Sequence, residues 1–265
     1  MDTPAAGDAT LDDIRKEIDA IDDRMLHLLE RRFEAVARVR AAKSQNGGNA
    51  ASPIRPAREA AILRRLLNRA ESPVPAELTV RLWRAIISSA TQSQAPIAIH
   101  VSKKLNSSIG LRLRIRDYFG TIPVEEWRDE AQVLMQLNSG VGDLGVVETA
   151  SSWAEAFVQD KSGRAQVIAV LPFLRDAAQP KLLIFGHARA EPTGNDETII
   201  VSDGNLPRDF SPAPLWQIRA GTRRISCLPG FLSEHEGPLI GLMRSNATLG
   251  LVVAGRYPSP FEVAS

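Results

Sequence analysis

The 265 residues contain one cysteine, Cys227. An intrachain disulfide framework is therefore excluded, and a lone thiol fits a reducing compartment. An excess of charge of one sign is also missing: 32 Lys and Arg against 31 Asp and Glu leave a net +1. That excludes a global basic field for nucleic acid and an acidic tail. No apolar run approaches the roughly 18 residues of a membrane span, so no membrane segment is expected. The N-terminal MDTPAAGDATLDD has no basic n-region and no apolar h-region, and a cytoplasmic protein is the expectation. His27, His100, His187 and His235 are scattered without metal-ligand spacing, so neither metal nor cofactor is expected. G-x-x-x-x-G-K-[ST], G-x-S-x-G and G-x-G-x-x-G are all absent, which leaves nucleotide-binding and serine-hydrolase readings without their usual support. What remains is a globular chain with 44% hydrophobic and 24% charged residues, long enough for one large domain or two small ones.

Residues 11–94 carry helical periodicity. Leu11, Ile14, Ile18, Ile21, Met25 and Leu28 step by three and four, a heptad seam with charge on the other faces. Thr10 is placed to cap this helix, and Asp12 and Asp13 suit its positive end. The pattern continues to Lys43 and stops at Asn46-Gly47-Gly48-Asn49. A second helix follows Pro56 and runs to about Ala70, with Ile62, Leu63, Leu66 and Leu67 as its stripe. A third runs from about Ala76 to Ser93, with Leu78, Leu82, Ile86 and Ala90 on one face. Two shorter helices leave part of the long seam uncovered, which predicts a homodimer.

Polar residues interrupt these faces. Arg32 and Lys43 fall on the seam of the first helix, eleven residues apart, so they point nearly the same way about 16 Å apart along the axis. Either they snorkel at the seam edge, or they face an anionic ligand that removes the cost of burying two cations. Glu59 lies on the packing face of the second helix. Gln94 continues the Leu82, Ile86, Ala90 series of the third. Arg15 stands about 25 Å from Arg32 and roughly 100° around the helix, too far to share its site within one chain. Across an antiparallel dimer it reaches the partner's site.

The stretches IRKEIDAIDDRMLHLLERR, VRAAK, RPAREAAILRRL and LWRAIISSATQSQ resemble the all-helical chorismate mutase family, the type found at the N-terminus of bifunctional mutase–dehydratase proteins. The resemblance implies a three-helix fold in an intertwined all-α dimer, with chorismate rearranged to prephenate in aromatic amino acid biosynthesis. It implies that Arg32 and Lys43 are the main substrate-binding cations and that Arg15 is donated across the dimer. Arg58 and Glu59 match the Arg-Glu pair opening helix two, with Glu59 on the substrate hydroxyl. Gln94 matches the amide that, with Lys43, contacts the ether oxygen. Two positions depart from the family pattern. Arg55 stands where an aspartate often precedes the helix-two arginine by three, and Ala90 where a serine often precedes the glutamine by four.

After Pro96 the pattern changes to short β-rich runs: IAIHVS, DLGVVE, AQVIAVLPF, KLLIFG, ETIIVS and LGLVVAG. DEAQVLMQLNSG and SSWAEAFVQD between them are amphipathic, so an α/β or α+β region is expected. DEAQVLMQLNSGVGDLGVVETASSWAEAF and KLLIFGHARAEPTGNDETIIVS resemble prephenate dehydratase segments that lead into a regulatory ACT domain. AGTRRISC and LGLVVAGRYPSP resemble ACT strands. The turn that would carry catalytic groups reads Val147-Glu148-Thr149-Ala150, and the Thr-Arg-Phe motif position reads Pro180-Lys181-Leu182. The resemblance therefore implies a shortened, degenerate dehydratase/ACT region without dehydratase activity.

The fold class expected is thus multidomain, α followed by α/β: a disordered 1–10, a helical mutase domain at 11–95 and an α/β domain at 96–265. Two other readings are open: an isochorismate pyruvate lyase on the same scaffold, which shares the cations, and a non-catalytic regulatory subunit of a shikimate-pathway enzyme, against which the intact Arg32, Lys43, Glu59 and Gln94 count.

Overall fold

The computed structural model describes residues 10–45, 53–69, 73–137, 142–160, 165–175 and 179–262, with the backbone alone for 43–45. Most of the expected disordered N-terminus and the Asn46–Asn49 stop lie outside these residues. The chain forms two compact units, residues 1–49 and 50–265.

The first unit is one helix, α1 (Leu11–Gln45), 35 residues long. Thr10 and Asp13 start it with a reciprocal capping box. Asp13 donates its amide to Thr10 Oγ1 at 3.2 Å, and Thr10 donates its own to Asp13 Oδ2 at 3.2 Å. Leu11, Ile14, Ile18, Ile21, Met25 and Leu28 are all exposed along one stripe, from 43% at Ile14 to 63% at Leu11.

The second unit begins with α2 (Pro56–Leu67) and α3 (Ala76–Gln92). Pro56 opens α2, where its missing N–H is no loss. Ala60 and Leu63 of α2 pack with Val80 of α3 and with Phe173. The face α3 buries matches the expected one only in part: Ala90 is buried, but Leu78 and Leu82 are 54% and 37% exposed, while Val80, Arg84, Ile87, Ser88 and Thr91 are also buried. Arg84 finds an anion and an aromatic ring on the inner side, as shown below.

The remaining elements are β1 (Ile99–Ser102), α4 (Lys103–Ser107), α5 (Ile109–Phe119), β2 (Val124–Trp127), α6 (Glu130–Leu137), β3 (Leu144–Glu148), α7 (Trp153–Gln159), β4 (Gln166–Leu171) and β5 (Leu182–Gly186). After these come β6 (Asp196–Ser202), β7 (Trp216–Ala220), β8 (Arg223–Pro229), α8 (Gly237–Ser245) and β9 (Val252–Pro258). All nine strands form one sheet in the order β2-β1-β3-β5-β4-β9-β6-β8-β7. β1 pairs parallel with β2 and β3, the start of a doubly wound α/β layer. β5 runs antiparallel between β3 and β4. The strands from β6 onward stand in the order fourth-first-third-second, the arrangement of a split βαβ ferredoxin-like unit. The first helix of such a unit is missing: residues 203–215 connect β6 to β7 without regular structure. The main core sits on the sheet face covered by α6 and α7, around Trp153, Phe157, Phe185 and Tyr257. The other face packs α5 through Ile115 and Phe119 against Ile99, Val101 and Ile184.

Among the described residues, no helix is long and apolar enough to cross a membrane, and no group of three His, Cys, Asp or Glu residues is placed to hold a metal.

The two halves of the sheet meet where β4 and β9 pair at Val167 and Gly255. A Cβ at Gly255 would lie 2.2 Å from the Val167 carbonyl oxygen and 2.5 Å from its nitrogen. Backbone cannot step aside as a side chain does. Gly255→Ala is expected to destabilise the second unit by at least about 3 kcal/mol, seen as a fall of roughly 6–12 °C in thermal unfolding. An unchanged melting temperature would show that the sheet is not continuous there.

Candidate active site

Arg15 is exposed on α1, and its Nη1 donates to Asp12 at 3.2 Å. Arg32, almost five turns on, is half-buried. Burial lowers its guanidinium pKa, and Nη1 has no hydrogen-bond partner among the described residues. Lys43 lies in the last turns of α1, and its side chain lies outside the described residues. The first unit thus presents an apolar stripe interrupted by a half-buried cation whose Nη1 is unpartnered among the described residues.

In the second unit Arg58 and Glu59 are neighbours in the first turns of α2. Arg58 is exposed. Glu59 turns inward, accepts the Arg55 amide on Oε1 at 3.3 Å, and so occupies one of the helix's free N-terminal donors. Its Oε2 accepts from Nη1 of Arg84, and the two side chains are 13% and 4% exposed. Arg84 also donates from Nε to the Tyr118 carbonyl at 3.2 Å, and its guanidinium lies 3.6 Å from the centre of the Tyr118 ring. Burial opposes the Arg84 charge, but attraction to Tyr118 and Glu59 outweighs it and holds the guanidinium pKa above its ordinary value. Burial pushes the Tyr118 phenol up, against the pull of Arg84. A desolvated cation–π contact of this kind is worth about 2 kcal/mol. Losing one partner of such a buried ion pair costs about 3–5 kcal/mol. α2, α3 and α5 are therefore tied at one point.

Ser88 lies one turn beyond Arg84 on the same face of α3, and its hydroxyl donates to the Tyr118 carbonyl at 3.3 Å. That carbonyl is one of the four at the end of α5 without a partner in its own helix, so Arg84 and Ser88 together cap α5. Gln92, one turn further, ends α3 and donates its amide to Thr121 Oγ1 at 3.2 Å. Gln94 lies past the helix in a turn, and its Nε2 bonds back to Ala90 O at 3.1 Å. The structure therefore aligns Arg84, Ser88 and Gln92 on one face with Glu59 and leaves Gln94 outside that row. Ser88 and Gln92 have the serine–glutamine spacing of four that Ala90 and Gln94 lack. SSATQ thus holds a serine–glutamine pair of its own, beside the Gln94 that the resemblance implies.

Behind this row lies a cavity of about 40 Å³, bounded by Glu59, Arg84, Ser88 and Thr91 on one side and by Leu144, Ile168 and Ile184 on the other. It has room for a few waters and not for a substituted ring. On the other side of Arg84 and Tyr118 a cleft of about 690 Å³ opens between α3, α5 and the end of β4. That volume is in the ordinary range for a small-molecule site.

Residues 14–95 match a family model described as chorismate mutase type II. A bifunctional chorismate mutase/prephenate dehydratase of Pseudomonas aeruginosa is 31% identical over 88 residues, 32% of this chain and 24% of that protein. The chain thus spans about a quarter of that relative's length. A solved structure described as a novel type of quorum quenching acylase, GqqA, has 11% identity and a TM-score of 0.39 over 61% of this chain and 95% of its own. The family match covers all but the first three residues of α1, the whole of α2 and α3, and every polar residue of the rows above.

Proposed function

We propose that the chain is a chorismate mutase, converting chorismate to prephenate by pericyclic rearrangement. The observation that carries this reading is Arg32, a half-buried cation on an apolar stripe inside the matched segment, whose Nη1 has no partner among the described residues. A dianionic substrate supplies the missing anion. Arginines meet carboxylates with two parallel hydrogen bonds, so Arg32, Arg58 and a donated Arg15 suit the two carboxylates of chorismate. Lys43 and a glutamine amide donate to the ether oxygen as negative charge develops there, an oxyanion-hole effect. Gln94 is the amide that the family pattern assigns to this role; its Nε2 bonds Ala90 O at 3.1 Å, much as that of Gln92 bonds Thr121 Oγ1 at 3.2 Å, and either bond must be exchanged for the substrate. Glu59 accepts the substrate hydroxyl. No nucleophile, general base or metal takes part: the rearrangement needs only the compact conformer held and the charge met.

The partner that brings Arg15 is a second copy of the chain. Six exposed apolar residues on α1 support this, since a helix with such a stripe gains most by packing against another. Residues 96–265 contribute no dehydratase chemistry. Thr149 donates its hydroxyl to Pro180 O at 2.7 Å, and Leu182 is buried in β5, so neither position offers a free catalytic group.

Arg32→Ala is expected to lower chorismate turnover by about 100-fold or more while far-ultraviolet circular dichroism stays unchanged. Near-normal turnover would remove Arg32 from the site. Mixing inactive Arg15→Ala and Arg32→Ala chains is expected to restore about one quarter of wild-type activity, because half the random dimers hold one complete site in two. No recovery after subunit exchange would exclude a shared site. Pyruvate from isochorismate, with no prephenate from chorismate, would assign the lyase reaction instead.

A further inference from the structure

We propose that the end of α5 is a gate over the α2–α3 half of the mutase site, so that the α/β region restrains the mutase domain directly. The inference rests on the mutase reading. Three polar side chains of α3, Arg84, Ser88 and Gln92, bond to residues 118–121. Arg84 and Ser88 share the Tyr118 carbonyl, Gln92 holds Thr121 Oγ1, and the Tyr118 ring lies under the Arg84 guanidinium. One turn earlier Arg81 donates to Asp117 at 2.8 Å, which extends the clasp along α5. Glu59 is bound from behind by Arg84. Behind the clasp the cavity of about 40 Å³ excludes chorismate, while in front the cleft of about 690 Å³ admits it. Arg84 and Tyr118 line both spaces, so they form the wall between them.

The wall meets α5 through hydrogen bonds, the Tyr118 ring contact and the apolar packing of Tyr118 beside Ala60, Leu63 and Val80, and α5 ends at once in Gly120, whose φ of 62° allows a sharp exit from the helix. If Tyr118 swings away, the small cavity joins the cleft, and Glu59, Ser88 and Gln92 face a space of ligand size. Chorismate must compete with this closed state, and apparent affinity falls by the fraction of molecules that are open.

Thr121→Val removes the acceptor held by Gln92, and Tyr118→Leu removes the ring under Arg84. Neither residue belongs to the substrate site. Each variant of the full chain is expected to lower KM for chorismate about 2- to 10-fold with kcat unchanged, since one lost hydrogen bond shifts an equilibrium by that factor. If both variants melt like the wild type and keep its KM, the gate is refuted and the mutase reading stands. If Tyr118→Leu fails to fold, Thr121→Val decides alone. A second readout is hydrogen exchange at the Gly120 and Ile122 amides, which bond Arg116 O at 2.9 Å and Phe119 O at 3.4 Å. Saturating prephenate is expected to speed their exchange, and unchanged exchange in the prephenate-bound protein would refute the gate. If no variant and no wild-type chain turns over chorismate, both the gate and the mutase reading fall.

Discussion

A buried guanidinium must be paired, and in this chain the pairing of Arg84 decides where two helices lie. Glu59 supplies the anion, Tyr118 the ring and the carbonyl, and each comes from a different helix. The contact joins α2, α3 and α5. It also holds the arginine of α3 inward, while Leu78 and Leu82 lie outside. The buried face is not polar alone, since Val80, Ile87 and Ala90 are buried on α3 as well. Once buried, the pair is costly to break, because losing one partner leaves an uncompensated charge.

The same contact separates what was legible in the sequence from what was not. α1 was legible to within two residues, because its seam repeats for five turns and Thr10 and Asp13 mark its start. α2 and α3 were legible in extent, but the inner face of α3 was not, since periodicity counts apolar residues and cannot see a paired arginine. Six strands were legible as β-rich runs, and β8 only through the resemblance of AGTRRISC to an ACT strand. β2 and β7 were not legible: Val124–Trp127 places two glutamates outward, and Trp216–Ala220 is a short edge. α5 was missed because IGLRLRIRDYF alternates apolar residues with arginine, the period of a strand. It is a helix because Ile115 and Phe119, four apart, enter the core together while the arginines spread around the outside.

Of the candidate site, the cations on α1 were legible as breaks in a regular seam. Glu59 was legible as polar on a packing face, though its partner Arg84 was not. The amide was read at Gln94, whereas the row beside Glu59 contains Ser88 and Gln92. These differences share one physical cause. A sequence pattern gives the direction of each side chain around its own helix, but which direction faces inward depends on charges that meet from other helices.

Chorismate supplied to the purified 265-residue chain tests the central claim most directly. The account predicts its conversion to prephenate without metal or cofactor, at a rate proportional to protein and abolished by unfolding. Chorismate recovered unchanged by the folded protein would contradict it.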